Sequence, residues 1–305
     1  MRELHLPECT IRSYDAGEGE PLVLVHGMLT NANVWRKLVE RLRDDHRCLT
    51  LDLPMGGHLI PVGAVDLSPA GQAQLVVQAL DAWGLERVVL VGSDTGTAVV
   101  QEIAASHPER VAGLVLTSGD FDRNSPAALF RVVPLIGWIP GAAWVYLAPG
   151  YLRPLQRLPL AYGWLAKRAQ DPQAVASYFL PTLQSRAIHR DFRRFMRGYR
   201  SKYARSAARR LHRYRGPSLI AWSREDRLFP PRHAERLVGL LPGSSLTWID
   251  DSYTLSAEDQ PDRLAEAIRG FLRDRAPQDP TRAAQPVLDG TGPADELTTT
   301  GPGAA

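Results

Sequence analysis

Val88-Val89-Leu90-Val91-Gly92-Ser93-Asp94-Thr95-Gly96 is the stretch on which the fold turns. Four consecutive aliphatic residues, with no polar alternation, form the pattern of a strand buried on both faces. Gly-x-Asp-x-Gly follows, and Thr97 to Ser106 then has the composition of a helix. A strand that passes straight into a helix through such a motif makes a sharp elbow, with the central side chain held above the sheet edge. The neighbours two positions away must be small for strand and helix to approach, and Gly92 and Gly96 meet that need. Aspartate suits the seat because it tolerates positive φ better than most residues. The helix N-terminus behind it favours a carboxylate or a developing oxyanion there.

Working outward, the first half of the chain alternates strand and helix signals. Thr10 to Tyr14, Leu22 to Val25, Cys48 to Leu53 and Val111 to Leu116 read as strands. Val34 to Arg43 reads as a helix, with Trp35, Leu38, Val39 and Leu42 at helical spacing. Ser68-Pro69 is a helix start, serine at the N-cap and proline at the first helical position. From Asp122 to about Leu211 aromatic, proline-punctuated helical stretches dominate. The alternation then resumes with a strand at Ser218 to Trp222, a helix from Pro231, a strand at Ser245 to Ile249 and a helix from Pro261. This is an α/β chain with a mostly parallel, doubly wound sheet and a helical insertion. The expected division is a core over 1–121, a helical cap over 122–215, the rest of the core over 216–275, and a disordered tail over 276–305. That tail is rich in Pro, Ala, Thr and Gly and has no apolar periodicity.

Composition narrows the function classes. The 305 residues are 44% apolar, enough for a full core. The N-terminus lacks the apolar region of a signal peptide. Two cysteines form no disulfide framework, and no metal-ligand spacing is present. The expectation is a cytoplasmic protein without metal or cofactor. The net charge of +3 is unevenly spread: residues 186–215 hold eleven arginines and one lysine against Asp191 alone. Either a solvated helix face or a basic rim that attracts an anion accounts for this. No nucleic-acid recognition module accompanies it. The apolar run from Val132 to Tyr151 is broken by Pro134, Pro140 and Pro149. It reads as broken helices over an apolar pocket, with membrane contact the weaker alternative.

The elbow, together with Val25-His26-Gly27-Met28-Leu29 after a buried strand, resembles the α/β-hydrolase fold family over residues 10–120 and 216–273. The insertion matches that family's cap. The resemblance implies Asp94 as nucleophile and Asp226, in Trp222-Ser223-Arg224-Glu225-Asp226, as the acid after the next-to-last core strand. Asp120 and Asp122 are alternative acids. It implies an oxyanion hole from the backbone amides of Thr95 and of Met28 or Leu29. An aspartate nucleophile resembles the haloalkane dehalogenases and epoxide hydrolases, in which an alkyl ester forms on the carboxylate and a histidine activates the water that cleaves it. Here the residue after the nucleophile is Thr95 where such dehalogenases carry tryptophan, and Met28 stands where they carry asparagine. The catalytic histidine position reads Thr254, in Tyr253-Thr254-Leu255, and no histidine follows His233. Threonine is no base at neutral pH.

His58, in Asp52-Leu53-Pro54-Met55-Gly56-Gly57-His58, is the best substitute base. It lies on a loop that leaves a core strand at its carboxyl end, the edge at which open α/β sheets bind ligands. His26 is expected beside the pocket in a structural role. Trp138, Trp144, Tyr146, Trp164, Tyr178 and Phe179 supply an aromatic cap suited to a bulky apolar small molecule, with Thr254 at the pocket wall. Three readings stay open: a hydrolase with His58 as relocated base; a non-hydrolytic enzyme with Asp94 as general base, its pKa raised by an apolar pocket; and a retired fold that binds a ligand.

Overall fold

The computed structural model describes residues 1–159 and 161–275; the tail expected over 276–305 lies outside the described residues. In chain order the elements are β1 (Arg2–His5), β2 (Thr10–Ala16), β3 (Pro21–Val25), α1 (Arg36–Leu42), β4 (Arg47–Leu51), α2 (Pro69–Ala82), β5 (Val88–Asp94), α3 (Thr95–Ser106) and β6 (Val111–Gly119). Then come α4 (Val133–Ile136), α5 (Ala142–Tyr151), α6 (Pro172–Gln184), α7 (Arg186–Gly198) and α8 (Ser201–Arg210). The chain returns to the sheet with β7 (Ser218–Ser223), α9 (Arg232–Leu240), β8 (Ser245–Ile249), α10 (Ser256–Asp259) and α11 (Pro261–Arg275). The strands form one sheet in the order β1-β2-β4-β3-β5-β6-β7-β8. β1, β2 and β4 pair antiparallel, and the pairs from β4 through β3 to β8 are parallel. This is the α/β-hydrolase fold.

Local chemistry accounts for these elements. Every residue of β5 is buried, as the unbroken Val/Leu run requires for a central strand covered on both faces. The Ser68 side chain accepts the Gly71 amide, and Pro69 opens α2 without needing a donor of its own. The segment read as a single helix from Val34 begins instead as a 3-10 turn, Ala32–Trp35, capped by Asn31. β1 was not evident in the sequence. It is an edge strand with mostly exposed side chains, so no apolar pattern marks it.

Hydrogen bonds tie the helices inserted between β6 and β7 to the core. Asn31 Nδ2 donates to the carbonyls of Gly57 (3.1 Å) and of Ser177 on α6 (3.0 Å). The Asp259 carboxylate accepts the amides of Lys167 (2.8 Å), Arg168 (3.0 Å) and Tyr253 (3.1 Å). The amide of Leu255 also donates to the Leu165 carbonyl at 2.8 Å. The loop carrying Thr254 is thus bonded to the insertion on both sides of that residue.

Candidate active site

Asp94 ends β5 at φ 53° and begins α3. A non-glycine residue in that region costs about 1–3 kcal/mol and persists only where its surroundings over-determine it. Tight packing supplies that constraint: a Cβ on Gly96 would overlap the Val25 and His26 carbonyls. The side chain does not cap the later amides of the first helical turn. Its carboxylate accepts hydrogen bonds from the backbone amides of Met28 and of Thr95, the first residue of α3. The Leu29 amide is engaged elsewhere, donating to the Met55 carbonyl at 3.0 Å. Of the two amides left open by the sequence, that of Met28 thus faces Asp94 and that of Leu29 does not. A Cβ on Gly27 would overlap Asp94 Oδ2. Gly27→Ala is expected to cost about 2 kcal/mol or more of stability through overpacking, and to displace the carboxylate from its amides. Thermal denaturation together with a ligand-binding or activity assay checks this, and a variant with wild-type values in both would refute it.

Asp226 lies in the loop after β7. Its Oδ1 accepts the amides of Leu228 (2.8 Å) and Phe229 (2.7 Å), and its Oδ2 accepts the Thr254 hydroxyl at 3.0 Å. Thr254 is fully buried. The acid is thus held as an acid that orients a histidine would be, but a hydroxyl stands on its outward oxygen. A third carboxyl, Asp120 just after β6, accepts the hydroxyl of Tyr199, and Thr95 Oγ1 donates to the same phenol oxygen at 3.3 Å. Tyr199 caps the C-terminus of α7.

Among the described residues no arginine or lysine pairs with these three carboxyls. Burial pushes Asp94 up to about 7, with Asp226 adding repulsion, and pushes Asp226 up to about 6. Burial and the Asp94 charge raise Asp120 well above its ordinary value. Asp94 therefore exchanges a proton near neutrality.

A narrow cavity of about 30 Å³ stands over Asp94 and Thr95. Met28, Phe130, Tyr146, Tyr162, Phe179 and Tyr199 are among its walls. Of the expected pocket residues, Tyr146 and Phe179 are lining residues; Trp138, Trp144, Trp164, Tyr178, His26 and Thr254 are not. Trp138 projects outward at 57% exposure, and Trp144 stacks on His189 with centroids 4.2 Å apart. Trp164 is half-buried beside the core. Tyr178 is buried close to Glu258 and Arg36. His26 is locked within the framework: Nδ1 donates to the Gly27 carbonyl (2.8 Å) and Nε2 accepts the Leu53 amide (2.9 Å). Burial lowers its pKa to about 4.

None of the eight histidines lines the cavity. The expectation for His58 is corrected. Its loop is drawn beneath α6 and α7, where the Gly56 carbonyl accepts the Thr182 hydroxyl and the Gly57 carbonyl accepts Asn31. The buried ring faces Asp191 on α7, with Nε2 3.7 Å from Oδ2. Burial lowers its pKa, opposed by Asp191. The two glycines let the loop pack closely under the insertion and do not deliver the ring to Asp94.

A family model described as alpha/beta hydrolase fold matches residues 20–143. The chain is an α/β-hydrolase-fold enzyme. It is similar to the uncharacterized hydrolase YugF of Bacillus subtilis, 27% identical over 256 residues, covering 83% of this chain and 90% of the relative. Haloalkane dehalogenase 2 of Mycobacterium tuberculosis is also 27% identical, over 271 residues, covering 85% and 90%. The crystal structure of a putative ancestral haloalkane dehalogenase superposes with a TM-score of 0.75 at 19% identity, covering 91% of this chain and all of the other. No helix among the described residues is long and apolar enough to cross a membrane.

Proposed function

We propose that this enzyme moves a proton within a small, largely apolar carbonyl compound, with Asp94 as the base and without water activated by a histidine. The observation that carries this reading is the titratable set on the cavity wall: one carboxyl, Asp94, with Tyr146, Tyr162 and Tyr199, and no imidazole. A base works best with a pKa near the ambient pH, and Asp94 lies there. Tyr199, bonded to the buried Asp120, lies on the cavity wall, where its hydroxyl could serve an enolate oxygen. Asp94 would take a proton from the carbon next to the carbonyl. The electron pair of that C–H bond would pass to the carbonyl oxygen, toward which the Tyr199 hydroxyl would turn its proton from Asp120. Asp94 would then return the proton to the same carbon or to a conjugated one. Isomerisation, elimination and cyclisation all begin this way. The inserted helices serve as the cap that excludes water.

A second reading rests on the likeness to haloalkane dehalogenases. There Asp94 attacks an electrophilic carbon, the leaving group departs with its electron pair, and an ester remains on the carboxylate. Without an imidazole that ester would turn over slowly.

One pair of labelling experiments separates the two. A panel of apolar cyclic ketones in heavy water, read by mass spectrometry, should gain deuterium next to the carbonyl with the wild type and not with Asp94→Asn. Haloalkanes, epoxides and esters in ¹⁸O water should leave the Asp94 peptide unlabelled. Multiple turnovers that place ¹⁸O in that peptide would sink the proton-transfer reading.

A further inference from the structure

Residues 123–170 contain six basic side chains and no acidic one. The same part of the chain carries nine of the eleven large apolar side chains exposed among the described residues, all within 132–158. Val132 (52%), Leu135 (63%) and Trp138 (57%) recur at helical spacing along one side of α4 and the turn after it. On α5, Ala143, Leu147 and Gly150 face inward, and Gly150 and Tyr146 line the cavity over Asp94. The opposite side of α5 carries Val145 (75%), and Leu152 (46%) stands exposed just past its end, where a water-facing helix would be polar. A helix apolar on both sides needs an apolar medium outside it.

The charges beside this face have one sign. Arg131 and Arg157 are exposed near its two ends. Arg193 and Arg197 of α7 donate to the Gly137 carbonyl at 3.2 and 2.9 Å, and the Arg197 guanidinium lies 4.4 Å from the Trp138 ring centroid. Tryptophans at the edge of an apolar face, ringed by arginine, are the features of a segment that rests in the headgroup region of a bilayer. Anionic headgroups complement the ring.

We infer that the α4–α5 face docks on an anionic lipid surface. The cavity then lies about one helix diameter, roughly 10 Å, from the acyl chains, and an apolar substrate can enter it past α5 without crossing water. This inference does not depend on what Asp94 does to the substrate.

Co-sedimentation with phosphatidylcholine vesicles, with and without phosphatidylglycerol, tests it. The wild type should pellet with the phosphatidylglycerol vesicles and be released by salt. Leu135→Glu and Val145→Glu, both at exposed positions, should each lower the partition constant about tenfold or more. Asp94→Asn should pellet as the wild type does. Brominated acyl chains should quench the tryptophan emission of the unmodified protein, a readout that needs no variant. A wild type that stays in the supernatant with its emission unquenched overturns the inference. So does a vesicle-free dimer that Val145→Glu converts to monomer, since the face would then belong to a second copy of the chain.

Discussion

Asp94→Asn is expected to abolish turnover, by about three orders of magnitude, and at the same time to raise the melting temperature at pH 8. The second effect follows from linkage. The Asp94 carboxyl is held at about 7 in the folded protein against 3.8 as its ordinary value. Between those values the native state binds more protons than the unfolded one, so stability falls as pH rises from about 4 to about 7. The full cost of that shift is on the order of 4 kcal/mol. Asparagine removes it while its side-chain oxygen still accepts an amide. Asp226 and Asp52, both pushed up to about 6 by burial, act with the same sign. The wild type should therefore melt higher at pH 5 than at pH 8. The asparagine variant should lose part of that slope and gain several degrees at pH 8. An asparagine variant that melts below the wild type at pH 8 would mean that the amides of Met28 and Thr95 fully compensate the buried charge.

Thr254→His is expected to convert the site to multiple-turnover hydrolysis of alkyl esters formed on Asp94. The acid for such a histidine is already in place. Asp226 is fixed by two backbone amides, and its free oxygen points at the Thr254 hydroxyl, 3.0 Å away. An imidazole at 254 would donate one ring N–H to that oxygen and hold its other nitrogen, unprotonated, toward Asp94. The added volume at a fully buried position costs about 1–3 kcal/mol. General-base catalysis should nevertheless speed ester cleavage about 100-fold or more. The measurement is product release from haloalkanes and epoxides, with ¹⁸O from water appearing in the Asp94 peptide. A folded Thr254→His protein that forms the ester and still does not release it would mean that residue 254 cannot reach the water that attacks.

The parts of this site that the sequence exposes are those tied to backbone geometry. An elbow needs glycines at fixed offsets, so Asp94, Thr95 and the strand before them are visible in residue order alone. The strands β3 to β7 are visible because burial on both faces leaves no room for polar residues. Asp226 and Thr254 follow from their places after the last two strands. The cavity wall was harder to read, because an aromatic residue in a helical insertion can face either way and nothing at its own position decides which. Trp138 and Trp144 turn outward, whereas Phe130 and Tyr162 turn in. Tyr199 was missed although a signal exists: Phe192, Phe195, Met196 and Tyr199 recur at helical spacing and are all buried. The arginines between them drew attention to the opposite side of the same helix. His58 misled because glycines in a loop suggest freedom, while here they permit close packing beneath α6 and α7.

The Asp259 carboxylate gathers amides from the insertion and from the Thr254 loop into a single knot. Residues 165–168 are therefore a door post and not a door. Any widening of the cavity must come from its other side, where α4 and α5 have no comparable tie to the sheet among the bonds described above. A substrate entering past α4 and α5 would then leave Asp226 and Thr254 in their alignment.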